Sequence, residues 1–234
     1  MNLKYLIAGI GCLIFSILVI LFVLLQLIMI FEEITIIIFF LLISCGIVLM
    51  GIGFKEVYLM HKKMVSILIF INSIAVGFLL TFFYSAVRPY FNTLEINFLR
   101  FLIFDITFIF FSLFFILIGY FFIRYKSSTK YSNLTLISGI LSVVFSNLNL
   151  ILTNILFLAE LNSDTIRYYS IYPVFDRILN NQNWWDILIL LIISIVSQTF
   201  AASMLLIFGL LPLGFIGILI GVIFFIEAKN EFSK

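Results

Sequence analysis

Asp105 stands within "FLRFLIFDITFIFFSLFF", residues 98 to 115, a stretch in which eight of eighteen side chains are phenylalanine. A charged side chain in hydrocarbon costs at least ~2.5 kcal/mol, so a carboxyl there implies hydrogen-bonding partners, a wet cavity or a titrating role. Asp105 shares a heptad-spaced face with Ser112 and Gly119, while Phe101, Phe108 and Phe115 share another. The expectation is that the aspartate faces protein and the phenylalanines face lipid or an apolar groove. Either hydroxyls on neighbouring helices satisfy the carboxyl, or it is an ion or proton site.

A second constellation is Thr135, Ser138, Ser142, Ser146, Asn149 and Thr153, spaced at steps of 3, 4, 4, 3 and 4. That spacing draws one polar stripe along one helix. Hydroxyl and small side chains so arranged either let helices approach and hydrogen-bond across the contact or line a polar pathway. In the pathway reading Asp105, Ser112 and Gln198 join the stripe. Shorter stripes recur in Ser73, Gly77, Thr81 and Ser85 and in Ala8, Cys12 and Ser16.

Catalytic chemistry lacks its components. The single histidine, His61, lies among lysines in "KEVYLMHKKM", read as an inner loop, so paired-histidine haem ligation and histidine-rich metal sites within one chain are not available. Asp105 and Glu160 are candidate acids with no accompanying base, nucleophile or phosphate-binding loop. No catalytic, cofactor or metal residue is assigned, and the chain is read as non-enzymatic. Cys12 and Cys45 fall at similar depth on adjacent apolar segments, where a meeting is feasible but a packing role is the plainer reading.

The elements that position these residues follow from composition: 65% of the 234 residues are hydrophobic and 10% charged, against about a quarter charged in soluble domains. The chain is an integral membrane protein in contact with the lipid bilayer. A net charge of +2 suggests no nucleic-acid partner. Apolar runs long enough to cross ~30 Å of hydrocarbon lie at 5 to 30, 34 to 54, 65 to 86, 101 to 123 and 134 to 159, with a longer one at 187 to 226. That last run would be about 60 Å of helix, so it is expected to break at "GLLPLG", Gly209 to Gly214, into spans of roughly 187 to 207 and 211 to 227. The expected fold is an all-α polytopic transmembrane helix bundle, one membrane-embedded domain over 1–234, of about seven spans or of six plus a re-entrant or interfacial helix.

Lysine and arginine set the orientation. With the N-terminus inside, the inner segments hold seven such residues and the outer ones four, Arg88, Arg100, Arg167 and Arg177. A C-terminus inside would raise the inner count to nine. The expectation is a multi-pass protein of the cell membrane with a cytoplasmic N-terminus. The long connection 161–186, "LNSDTIRYYSIYPVFDRILNNQNWWD", is then external, with an interfacial helix and a membrane-anchoring Trp184-Trp185 pair. Tyr172, Phe175, Trp184 and Trp185 in this loop, with Gly217 and Gly221 in the last span, are candidate partner contacts.

The stretches "LIAGIGCLIFSILVILF", "CGIVLMGIGFKEVYLMHKKM" and "FIGILIGVIFFIEAK" resemble an archaeal family of small, uncharacterised multispanning membrane proteins, through glycine placement and loop charge. The resemblance covers about the first 130 residues and the last 20. It implies an even number of spans and no long outer loop, from which residues 161 to 207 depart. Two functions fit the residues: a non-catalytic subunit or scaffold of a larger membrane complex, associating with other subunits or with itself, or a small-solute or ion transporter using the fifth-span stripe and Asp105.

Overall fold

The computed structural model describes residues 2–27, 33–82, 97–125, 132–154 and 205–230. Its helices are α1 (Leu3–Leu27), α2 (Glu33–His61), α3 (Met64–Phe82), α4 (Asn97–Tyr125), α5 (Ser132–Asn154) and α6 (Leu211–Asn230), the last preceded by a π-helical turn, Leu205–Leu210. Six of the described helices are long and apolar enough to cross a membrane. The fold is all-helical among the described residues, as a chain that must satisfy its backbone in lipid requires. Residues 155–204, with the connection 161–186 and the first part of the sixth apolar run, lie outside the described set.

Consecutive helices pack antiparallel, and the matched pairs give the register. Lys4 pairs with Glu56 at 2.7 Å where α1 meets α2. Further along that contact, a Cβ placed on Gly46 would lie 2.8 Å from the Phe15 nitrogen and 3.0 Å from the Gly11 oxygen, so the two backbones touch. In α3, Asn72 Nδ2 donates to the Phe110 carbonyl of α4 at 3.1 Å. A Cβ on Gly119 would lie 2.6 Å from the Gly139 carbonyl oxygen, a second backbone-to-backbone crossing, here between α4 and α5. The last helix returns along the first: Gly214 faces Val19 and Ile20, Gly221 faces Cys12, and the Asn2 amide donates to the Ala228 carbonyl at 3.3 Å. Both ends of the described chain therefore share one face of the bundle, the arrangement of the six-span alternative.

Phenylalanine fills the centre. Phe15 on α1 meets Phe111 and Phe115 on α4 at ring-centroid distances of 6.0 and 5.4 Å. Phe54 on α2 meets Phe121, Phe122 and Phe224 at 5.5, 6.1 and 5.2 Å. Tilted and edge-on contacts of this kind contribute beyond area alone, about 0.5–1.5 kcal/mol a pair.

Several expectations are corrected. Phe108 and Phe115 do not face lipid: they are buried at 7% and 0% exposure, so α4 buries this face as well as the one carrying Ser112. The sequence "GLLPLG" is not a turn between spans. Leu205 to Asn230 is continuous helix, and Pro212 sits in the first turn of α6 directly after the π-turn. Proline has no amide to give the preceding turn, and the wider π-turn before it relieves its ring of the preceding carbonyl. "KEVYLMHKKM" is not an open loop, because α2 runs to His61 and only Lys62 and Lys63 connect it to α3. Lys62 turns the chain with φ 53°, a left-handed C-cap without glycine, and its amide donates to the Tyr58 carbonyl at 2.8 Å. Cys12 is buried and Cys45 exposed, so the two thiols point different ways.

Candidate functional site

The stripe on α5 is wholly enclosed: Thr135, Ser138, Ser142, Ser146, Asn149 and Thr153 are all buried. Its hydroxyls are largely spent on their own helix. Ser138 donates to the Leu134 carbonyl at 2.8 Å, Thr153 to that of Asn149 at 2.8 Å, and Ser146 to that of Ser142. Such bonding to the carbonyl four residues back lets a hydroxyl sit in an apolar contact without an outside partner. Small side chains on this face also let α5 close onto Gly119 of α4.

One bond of the stripe crosses between helices. Asn149 Nδ2 donates to Ser112 Oγ at 2.8 Å, so two residues singled out separately in the sequence meet. On the other side of Asn149 lies the π-turn: a Cβ placed on Gly209 would stand 2.6 Å from Asn149 Oδ1. Only glycine leaves room for that carboxamide. Asn149 Oδ1 and Ser142 Oγ have no hydrogen-bond partner among the described residues. Buried oxygens without partners are uncommon, and each costs about 1–3 kcal/mol relative to a satisfied one.

The remaining candidates sort as follows. Asp105 lies on α4, with its side chain outside the described residues, as are Gln198, Tyr172, Phe175, Trp184 and Trp185. Gly217 and Gly221 are buried against α1 of the same chain, Gly217 facing Phe15 and Ser16 and Gly221 facing Cys12 and the Gly9 carbonyl. The close approach they permit is within this chain.

Two features were not signalled by stripe counting. Asn72, one residue before the Ser73 stripe, makes the polar link from α3 to α4. A cavity of about 200 Å³ opens at the face carrying both termini, with His61, Lys63, Thr135 and Glu227 among its walls. The lysines around His61 hinted at it, but Glu227 joins them only through the return of α6. No protein-family model, curated protein or solved structure matches this chain.

Proposed function

We propose that this chain is a non-catalytic subunit of a membrane complex, held to its partner through the outer face of α5. The observation that carries the reading is Asn147. About a third of α5's apolar stretch is buried, the least of the six, against 39% of α3 and half or more of α1, α2, α4 and α6. Its exposed residues are Asn133, Ile137, Ile140, Val144, Asn147, Ile151 and Asn154, at alternating steps of 4 and 3, with Ser132 at the helix end. Asn147 lies seven residues, about 10 Å, inside the Asn154 end of the helix. Its Nδ2 donates to the Val143 carbonyl at 2.8 Å, which leaves its other N–H and its oxygen for a neighbour. Lipid tails offer none, whereas an adjoining helix does. In a second copy the same carboxamide stands at the same depth, a donor and acceptor matched to itself.

Cross-linking tests this in native membranes. A cysteine at Val144 is expected to trap a covalent dimer or an adduct with another membrane protein, and Asn147→Val is expected to lower the yield at least about tenfold with helicity unchanged. Cross-links confined to residues 187–204 of the same chain, with a monomer in mild detergent, would sink the subunit reading. The oxygens of Asn149 and Ser142, without partners among the described residues, favour the alternative, a small-solute or ion transporter with Asp105 at its outer end. Proton- or cation-driven flux in vesicles would place that alternative first.

Orientation is part of the proposal. Lys4, Lys55, Lys62, Lys63, Arg124 and Lys229 all belong to the helix ends at the face of the termini, which by the positive-inside tendency is cytoplasmic. A membrane-impermeant thiol reagent added outside is expected to label a cysteine at Asn181 and spare those at Ser128 and Ser233. The opposite pattern would reverse the orientation.

A further inference from the structure

The outer face of α5 has an internal order. Its exposed residues from Asn133 to Asn154 follow steps of 4, 3, 4, 3, 4 and 3, the spacing of the two seam positions in a seven-residue repeat. Ile137, Val144 and Ile151 take the first position, all β-branched and all more than half exposed. Asn133, Ile140, Asn147 and Asn154 take the second. The flanking positions Leu136, Leu141, Val143, Leu148 and Leu150 are aliphatic and partly buried. A strict repeat of this period keeps its seam against a neighbour that winds round it left-handedly. The exposed face of α3 differs: Leu68, Ile71, Ile74 and Phe78 present hydrocarbon to hydrocarbon. Among the described residues no other helix exposes a carboxamide between its ends.

Symmetry and charge identify the neighbour that fits. Copies inserted in one membrane share a topology, so two α5 helices related by a two-fold axis along the membrane normal run parallel, and each seam residue meets its own counterpart. Asn133, Asn147 and Asn154 are then each set against the same carboxamide, a donor and an acceptor for one another. An unrelated helix would have to supply matching groups at all three levels. From Ser132 to Asn154 α5 carries no charged residue, so the pairing brings no like charges together.

Resting on the reading that protein covers this face, we propose that the partner is a second copy of this chain, joined through a parallel, left-handed α5–α5 coiled coil. Ile137, Val144 and Ile151 pack on their counterparts, and the Asn147 pair, hydrogen-bonded at depth, fixes the register.

Cysteine scanning in native membranes tests it, in a Cys45→Ala chain whose remaining Cys12 is buried. Under mild oxidation Ile137→Cys, Val144→Cys and Ile151→Cys are expected to give disulfide-linked dimers of this chain, which require Cα atoms within about 7 Å. Ile71→Cys, as exposed but on α3, is expected to give at least about tenfold less. Asn147→Leu should cut the Val144→Cys dimer about tenfold, and Asn147→Gln, which keeps the carboxamide, should restore part of it. Dimers from Ile71→Cys as abundant as those from Val144→Cys would mark them as collisions and overturn the proposal. Adducts of Val144→Cys with a different protein, without dimers, overturn it and leave the subunit reading standing. Adducts of neither kind overturn both.

Discussion

Gly119→Val is expected to destabilise the bundle by about 3 kcal/mol or more, near the top of the range for added volume in a packed interior. The Cβ alone would stand 2.6 Å from a backbone carbonyl oxygen of α5, and Ser142 Cβ is 3.0 Å away on the same side. Neither helix can yield at that point by moving a side chain. The contact is reciprocal, since a Cβ on Gly139 would lie 2.9 Å from the Gly119 oxygen, so Gly139→Val should behave alike. Gly9→Ala is the comparison: the three atoms nearest its new methyl group all belong to the Phe225 ring, from 3.0 Å, and a ring can swing. Thermal unfolding in detergent followed by circular dichroism distinguishes the two. A Gly119→Val protein melting with the wild type would mean that α4 and α5 do not cross there.

Phe54→Ala is expected to cost about 3 kcal/mol, the lower end for removing a buried aromatic ring. The lower end applies because helices separated within a membrane still have apolar surroundings, so the loss is mainly of packing. Phe54 is fully buried among three other rings, each of which loses its contact when Phe54 is cut back. Phe78, 66% exposed and stacked only on Phe82 at 5.9 Å among the ring contacts on α3, should tolerate alanine within about 0.5 kcal/mol. Equal melting temperatures for the two variants would contradict the assignment of Phe54 to the centre.

The contrast between these phenylalanines explains what sequence could and could not reveal. The spans were legible because twenty apolar residues in a row have few other uses, and the α5 stripe was legible because hydroxyls among leucines mark a direction around a helix. Asn149 followed from that stripe, and Ser112 from the heptad spacing it shares with Asp105 and Gly119. The inward face of α4 did not. Lipid and protein interior are equally apolar, so Phe108, buried, and Phe110, exposed, look alike in the sequence. Pro212 misled for another reason: a proline between glycines suggests a turn, and only the backbone reveals the π-turn that absorbs it. The charged pair Lys55-Glu56 suggested a loop, whereas it lies on the last two turns of α2 with Glu56 answering Lys4. Asn147 was visible as lying off the stripe, but its exposure depends on which neighbours cover α5.

The return of α6 along α1 bears on how the protein is made. Made before the other described helices, α1 presents its small-residue face, Gly9, Cys12 and Ser16, to a partner encoded about two hundred residues later. At about 5–20 residues per second that delay is roughly 10–40 s. Throughout it α1 waits in the bilayer or insertion machinery with its α6 contact unmade, while its contact with α2 is available early. The contact between α1 and α6 closes only when translation has delivered α6. Ribosome-bound chains ending before Leu205 therefore hold α1 with this groove open, and that is the stage at which insertion chaperones have the most to grip.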